Sequence, residues 1–177
     1  MKKLYFAIVA AAALMFVSCE KAPIGGTAVE KLSGQWYVSV QGINTDGSVL
    51  YEDEDLFELG KFVLITYNTA ANDLDSIWIQ NVDLFGGSLV FLNFKVKAHC
   101  DINAGTFEIA GGPDQQHGSS VDITNGKILR GAAKTPSGMP ADSITMDILY
   151  SDDPYVGVYY DRLRITGYRY TGLAADE

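Results

Sequence analysis

Gly34-Gln35-Trp36-Tyr37-Val38-Ser39-Val40 is the stretch that decides the fold. In an extended strand successive side chains point to opposite faces. Trp36, Val38 and Val40 then share one face, while Tyr37, Ser39 and Gln41 share the other. Such a strand packs a core on one side only. The chain that follows repeats the pattern. Residues 35–43, 49–51, 61–69, 76–82, 89–100, 106–110, 121–124, 127–133, 143–150 and 158–171 all read as strands. The clearest is 89–100, where Phe94, Val96, Ala98 and Cys100 oppose Lys95, Lys97 and His99.

Turn chemistry separates these segments. Asn44-Thr45-Asp46-Gly47, Ala71-Asn72-Asp73, Phe85-Gly86-Gly87, Asn103-Ala104-Gly105 and Asn125-Gly126 each carry residues that tolerate positive φ. Asn125-Gly126 is the strongest hairpin signal, and it predicts two strands, 121–124 and 127–133. A polar loop is expected at 111–118 and a Pro- and Gly-containing loop at 135–140. The mature chain keeps no helical period. About eight to ten strands at this spacing predict an all-β fold, an antiparallel up-and-down barrel. Closure is the favoured solution because it leaves no exposed edge strand.

The N-terminus reads differently. Lys2 and Lys3 precede an apolar, Ala-rich run from Leu4 to Val17. That run falls short of the roughly 20 residues a membrane span needs and has the form of a signal peptide over 1–18. It ends Phe16-Val17-Ser18-Cys19, a sequence that resembles a lipobox with Cys19 as the acylated residue. Residues 19–33, with Pro23, Gly25 and Gly26, then form the lipidated Cys and a flexible tether. Residues 34–177 form a single barrel domain. The protein is expected in the cell envelope, held on the outer membrane by its N-terminal lipid.

The chain has two cysteines. With Cys19 acylated, Cys100 has no partner within the chain, and its apolar face marks it as a buried, inert thiol. The formal net charge is −9, and loss of Lys2 and Lys3 makes the mature chain more acidic still. This balance, with no basic cluster, argues against nucleic acid as a partner. Glu52-Asp53-Glu54-Asp55 reads as a solvated loop.

Gly34-x-Trp36 at the first strand resembles the start of lipocalins and their wider superfamily. In these a basic residue near the last strand packs over the Trp. The last strand here reads Leu163-Arg164-Ile165-Thr166-Gly167-Tyr168-Arg169. Without a bulge at Gly167, Arg169 shares the inward face of Leu163 and Ile165, and the Trp36–Arg169 pair becomes a structural bolt. A closer resemblance runs over nearly the whole mature chain. It is carried by 23–27 (Pro-Ile-Gly-Gly-Thr), Gly34-Gln35-Trp36-Tyr37, 66–72 (Thr-Tyr-Asn-Thr-Ala-Ala-Asn), 135–143 and Gly167-Tyr168-Arg169. These segments resemble a family of Bacteroidetes lipoproteins described as lipid-binding putative hydrolases. The resemblance implies a barrel-like fold, a lipid ligand and a possible hydrolysis. It brings no established catalytic residue.

The residues themselves do not assemble a hydrolase. A nucleophile, a base and an orienting group must lie within reach of one another. His99 alternates with lysines toward solvent, His117 lies in the polar loop, and Ser137 lacks a nucleophile-elbow context. No catalytic residue, metal ligand or cofactor is assigned. A lipid carrier instead needs large apolar side chains and a few fixed polar groups around a cavity. Trp36, Phe62, Tyr67, Trp78, Phe94 and Tyr168 are the candidates for that lining, with Arg130, Arg164 and Arg169 available to a carboxylate. Arg130 is the preferred one, since Arg164 alternates outward and Arg169 serves the bolt. The leading expectation is a fatty acid or other lipid held in a barrel cavity. Two alternatives remain open: glycan or protein binding on an exposed shelf of Tyr159, Tyr160 and Tyr170, and weak ester hydrolysis. Oligomeric state is not readable.

Overall fold

The computed structural model describes residues 26–50, 56–81, 85 and 87–176. The signal peptide expected at 1–18, Cys19, most of the tether and the acidic run 52–55 lie outside the described residues. Eight strands form the body: β1 (Gly34–Ile43), β2 (Phe62–Asn68), β3 (Ser76–Asn81), β4 (Lys95–Asp101), β5 (Thr106–Pro113), β6 (Ser120–Lys134), β7 (Pro140–Tyr150) and β8 (Arg162–Arg169). Each pairs antiparallel with its neighbours in sequence, and β8 returns to β1, closing an up-and-down barrel. Apart from the strands, the described residues form only short 3₁₀ turns, at Glu30–Leu32, Leu56–Glu58, Gly87–Leu92 and Ala174–Asp176.

Alternation supplies the core. Trp36, Val38 and Val40 of β1, Ile77 and Ile79 of β3, Val96 and Ala98 of β4, and Ile144, Met146 and Ile148 of β7 are all buried. The outward residues between them are half-buried or exposed over most of each strand. Cys100 is buried at the end of β4, and burial followed by the charges of Asp75 and Asp101 pushes its thiol up to about 11. It is therefore an unreactive core group.

Three sequence expectations change. Of the strand expected at 49–51, the described residues Val49 and Leu50 form none; Val49 makes an isolated bridge to Ile43. Residues 89–92 belong to the 3₁₀ turn Gly87–Leu92, and β4 begins only at Lys95. Asn125-Gly126 does not turn the chain. β6 runs straight through it, with register shifts between Thr124 and Lys127 on one side and between Phe107 and Ile109 on the other. Asn125 takes the positive φ of 55° that the motif favours, but it does so in a β-bulge. Its Nδ2 donates to Asp147 Oδ2 at 2.9 Å. Gly126 presses on β5 so closely that a Cβ there would collide with the Phe107 carbonyl and ring. The same dipeptide serves a hairpin or a bulge, and the cross-strand partners decide which.

The barrel's lower end holds the bolt. Trp36 pairs with Arg169 across β1 and β8, and Val38 with Gly167. No bulge intervenes at Gly167, so Arg169 faces inward as expected. Its guanidinium lies 4.7 Å from the Trp36 ring centroid. Nη1 donates to Ser33 O and Nε to Asp142 Oδ2, both at 3.1 Å. Trp36 Nε1 donates to Thr66 Oγ1 at 2.9 Å, and Thr66 Oγ1 donates to Leu32 O at 2.6 Å. Gly34 is glycine for room, because a Cβ there would sit 2.5 Å from Arg169 Nη1. Val29 and Leu32, carried by the first 3₁₀ turn, are buried in the same core.

Arg169→Ala is expected to lower stability by about 2 kcal/mol in denaturant unfolding, since it removes the cation–π contact and strands Ser33 O and Asp142. Arg169→Lys should recover only part of that loss, and equal stability of all three proteins would refute the bolt. Gly126→Ala should cost about 3 kcal/mol, because the bulge has no space for a methyl group. A loss below about 1 kcal/mol would mean that Gly126 sits in an open turn after all.

Candidate functional site

In an up-and-down barrel every second connection falls at the same end. Here the described residues of the connections after β1, β3, β5 and β7 (44–50 and 56–61, 85 and 87–94, 114–119, and 151–161) gather opposite the bolt. This end is the mouth, and aromatic rings cover it. Phe57 packs on Tyr155 at 5.3 Å and against Tyr160 at 6.2 Å, centroid to centroid. Phe91 meets Tyr150 at 5.7 Å and Tyr155 at 5.9 Å. Phe85 meets Phe62 edge-on at 5.2 Å, and Phe94 meets Tyr150 at 5.7 Å. Tyr160 is buried over Gly42 of β1. Rings from three connections thus lie across the ends of the strands as a lid.

The lid is held under strain. Phe57 and Glu58 both adopt positive φ, 67° and 54°. Each costs about 1–2 kcal/mol for a residue with a Cβ. The Phe57 ring contacts offset that cost while the lid is closed.

Polar groups lie under the aromatics. Tyr160 Oη donates to Asp153 Oδ2 at 2.8 Å, and Asp153 Oδ1 accepts from Tyr155 N at 2.9 Å. Burial nonetheless raises the Asp153 carboxyl above its usual range, with Asp152 adding to the shift. Burial and the hydrogen bond to Asp153 push the Tyr160 phenol up as well. Tyr150 lies within the protein, and its hydroxyl has no hydrogen-bond partner among the described residues. Burial, then the charges of Asp153, Asp114 and Asp152, hold that phenol protonated.

Below the lid the described interior is filled. Trp36, Val38, Leu64, Ile77, Ile79, Phe94, Val96, Val121, Ile123, Met146 and Ile148 expose none of their surface. A water-sized void beside any of them would appear as exposed area. The open cavity expected from the sequence is therefore not preformed among the described residues. Branched aliphatic side chains from all sides meet at the barrel axis and occupy it. Open grooves among the described residues lie on the wall around His99, Asp101, Glu108 and Lys127, at the lower end beside Lys31 and Ile102, and at the mouth beside Tyr150, Asp153 and Val156.

The residues proposed from sequence as a lining separate into groups. Trp36 faces inward at the bolt end, and Phe62 and Phe94 face inward at the mouth. Tyr67 and Trp78 pair with each other across β2 and β3 on the outer wall. Lys95 lies 5.1 Å from the Trp78 ring centroid, and Tyr67 Oη donates to Gln80. Tyr168 is also outward, beside Tyr37, and is buried because the C-terminal segment lies over it: its hydroxyl donates to Asp176 O at 2.8 Å. Arg130 is exposed on β6. Size rather than face picks Tyr67, Trp78 and Tyr168 out of the sequence; alternation itself puts Trp78 opposite Ile77 and Ile79, and Tyr168 opposite Leu163 and Ile165. Arg164 points outward as expected and grips Asp147 with Nε at 2.7 Å and Nη2 at 3.0 Å. Tyr150, Tyr155, Phe57 and Phe91 were missed as mouth residues, and the sequence reading puts Tyr160 on an exposed shelf. Tyr150 was within reach, since it ends the inward series Ile144, Met146, Ile148.

The expected tyrosine shelf does not form as drawn. Tyr159 is exposed, Tyr160 is buried, and Tyr170 stacks on Tyr37 at 5.3 Å. His99 and His117 are both exposed, and Ser137 Oγ lies 2.9 Å from Thr135 Oγ1.

No curated protein matches the chain. The family described as lipid-binding putative hydrolase matches residues 21–174, a span that takes in every strand, the bolt and the mouth. On that match the chain belongs to the lipid-binding putative hydrolase family.

Proposed function

We propose that the protein binds an apolar ligand, a fatty acid or other lipid, at the aromatic mouth, and that binding displaces the lid. One observation carries this reading: the mouth is closed by rings on a strained connection, above a core whose described side chains are fully buried. An acyl chain that slides between the rings replaces ring–ring contacts with ring–methylene contacts. It also lets Phe57 and Glu58 leave their left-handed conformations. Area buried along an acyl chain contributes about 0.8 kcal/mol per CH₂, enough to offset the rings it moves. Family membership supports a lipid as the class of ligand.

We also propose that the protein is a lipoprotein anchored through Cys19 to the outer membrane. The bolt end carries residue 26, so the mouth lies at the far end of the barrel from the anchor. A strand of 10 residues such as β1 spans about 33 Å. The mouth would then open away from the anchoring membrane.

The full chain, freed of lipid and offered a mixed lipid extract, is expected to gain a reproducible lipid mass in native mass spectrometry. A bare mass with every lipid offered sinks the reading. Phe57→Gly removes both the ring and the positive-φ cost, and should speed uptake of the uncharged dye Nile red several-fold in stopped-flow fluorescence; an unchanged rate would show that Phe57 is not part of a gate. Cys19→Ala should move the protein from the membrane to the soluble fraction, and retention on membranes would exclude the anchor.

A further inference from the structure

We infer that the mouth selects a lipid whose head is an uncharged hydrogen-bonding group, a hydroxyl or an amide, over one that ends in a free carboxylate. This rests on the proposal that lipid binds at the mouth and names the chemistry of the head. Tyr150 closes the inward alternation of β7 and is 3% exposed. Phe91 and Phe94 lie against its ring, and its hydroxyl is unpartnered among the described residues. A second buried polar atom at this end, Gln116 Oε1 on the β5–β6 connection, is also unpartnered. The end of β7 is joined to the start of β6, where Ser151 N donates to Ser120 O at 2.9 Å. Asp114 connects the two groups: its carboxylate accepts from Gln116 N at 3.0 Å and its charge acts on Tyr150. Both unsatisfied atoms therefore belong to one side of the mouth.

An unpaired buried polar group is costly, so a native protein keeps one where something else completes it. The phenol has a proton to donate, and the amide oxygen has lone pairs to accept with. A hydroxyl or amide head answers both, because it carries a donor and an acceptor together. A carboxylate offers acceptors alone and leaves Gln116 Oε1 unsatisfied.

Charge points the same way. Asp114, Asp152 and Asp153 act on Tyr150, and all three would repel an anionic head. Asp114 is fully engaged in the connection, accepting from the backbone N–H groups of Lys95, Gln116 and His117. Cations at this end face elsewhere. Arg162 pairs with Ile43, and Arg164 with Gln41, on the outward face of β8. Lys95 lies over Trp78 and Lys61 reaches Tyr168, both outside the barrel. His117 is exposed. Arg162 has a buried Nη1 with no partner among the described residues, but it stands on the outward face of β8, so no arginine faces inward in the described part of the mouth, and two hydrogen-bonding groups that a neutral head wants are present.

The test is a competition. The full chain, freed of lipid, is incubated at neutral pH with equal amounts of monooleoylglycerol and oleate, which share one acyl chain, and bound masses are read by native mass spectrometry. Monooleoylglycerol is expected to dominate by about tenfold, the worth of one or two hydrogen bonds. Tyr150→Phe is expected to reduce monooleoylglycerol binding by about tenfold and to leave oleate binding unchanged. The same substitution should leave the melting temperature of the lipid-free protein unchanged or raised, because the hydroxyl it removes has no partner there. A hydroxyl with a merely structural role would lower it. Oleate binding as well as or better than monooleoylglycerol would overturn the head selection and leave lipid binding standing. Unchanged monooleoylglycerol binding in Tyr150→Phe would overturn the role of Tyr150. Binding of neither lipid would overturn both this inference and the mouth reading.

Discussion

The contact of the Arg169 guanidinium with the Trp36 ring holds the barrel shut. A closed sheet of eight strands has one seam where the last strand meets the first. That seam is under no local control, since its strands are joined by nearly the whole chain and their pairing is entropically expensive to form. Arg169 marks it with a charge that the core accepts in one place only. There the ring face, the Ser33 carbonyl and the Asp142 carboxylate together satisfy it. Slipping the register by one residue would turn Arg169 outward and Tyr168 inward. The bolt therefore sets register as well as closure, and Gly34 gives up side-chain contact to make room for it.

From the seam follows a division of labour between the two ends. The lower end is sealed by a 3₁₀ turn, by Leu32 and Trp36, and by the hydrogen bonds that run from Trp36 through Thr66 to Leu32. The mouth is built differently. Its cover is made of rings on connections, with Phe57 and Glu58 at positive φ, and Tyr150 Oη and Gln116 Oε1 are buried there without partners among the described residues. Rigid elements hold the geometry, and the connections carry the cover. The acidic groups there, Asp153 with its raised carboxyl among them, make this end polar beneath the rings.

A filled barrel changes what lipid binding by this family member requires. A preformed cavity binds by exclusion of water from an existing hole. A packed barrel with a strained lid binds by exchange: the ligand takes the place of protein side chains, and the net gain is a difference between two well-packed states. Such a protein is stable when empty, and its selectivity rests with the few polar groups that no side chain satisfies.

The sequence by itself determined the fold class, the inward face of most strands and the identity of the bolt. Period-two alternation is a local property, and an arginine on an inward face is stable there only where a ring such as that of the Gly-x-Trp strand receives its charge. It also placed Cys100, His99 and Arg164 on their proper faces. Only the tertiary structure decided that Asn125-Gly126 bends a continuous strand, because Phe107 and Asp147, remote in sequence, hold the bulge open. It alone showed what covers Tyr67, Trp78 and Tyr168 on the outer wall: Lys95 over the first two and the C-terminal segment over the third. It alone gathered Phe57, Phe91, Tyr150, Tyr155 and Tyr160 into one lid. Most of those residues lie on connections without a period, and what unites them is that alternate connections of a closed meander meet at the same end.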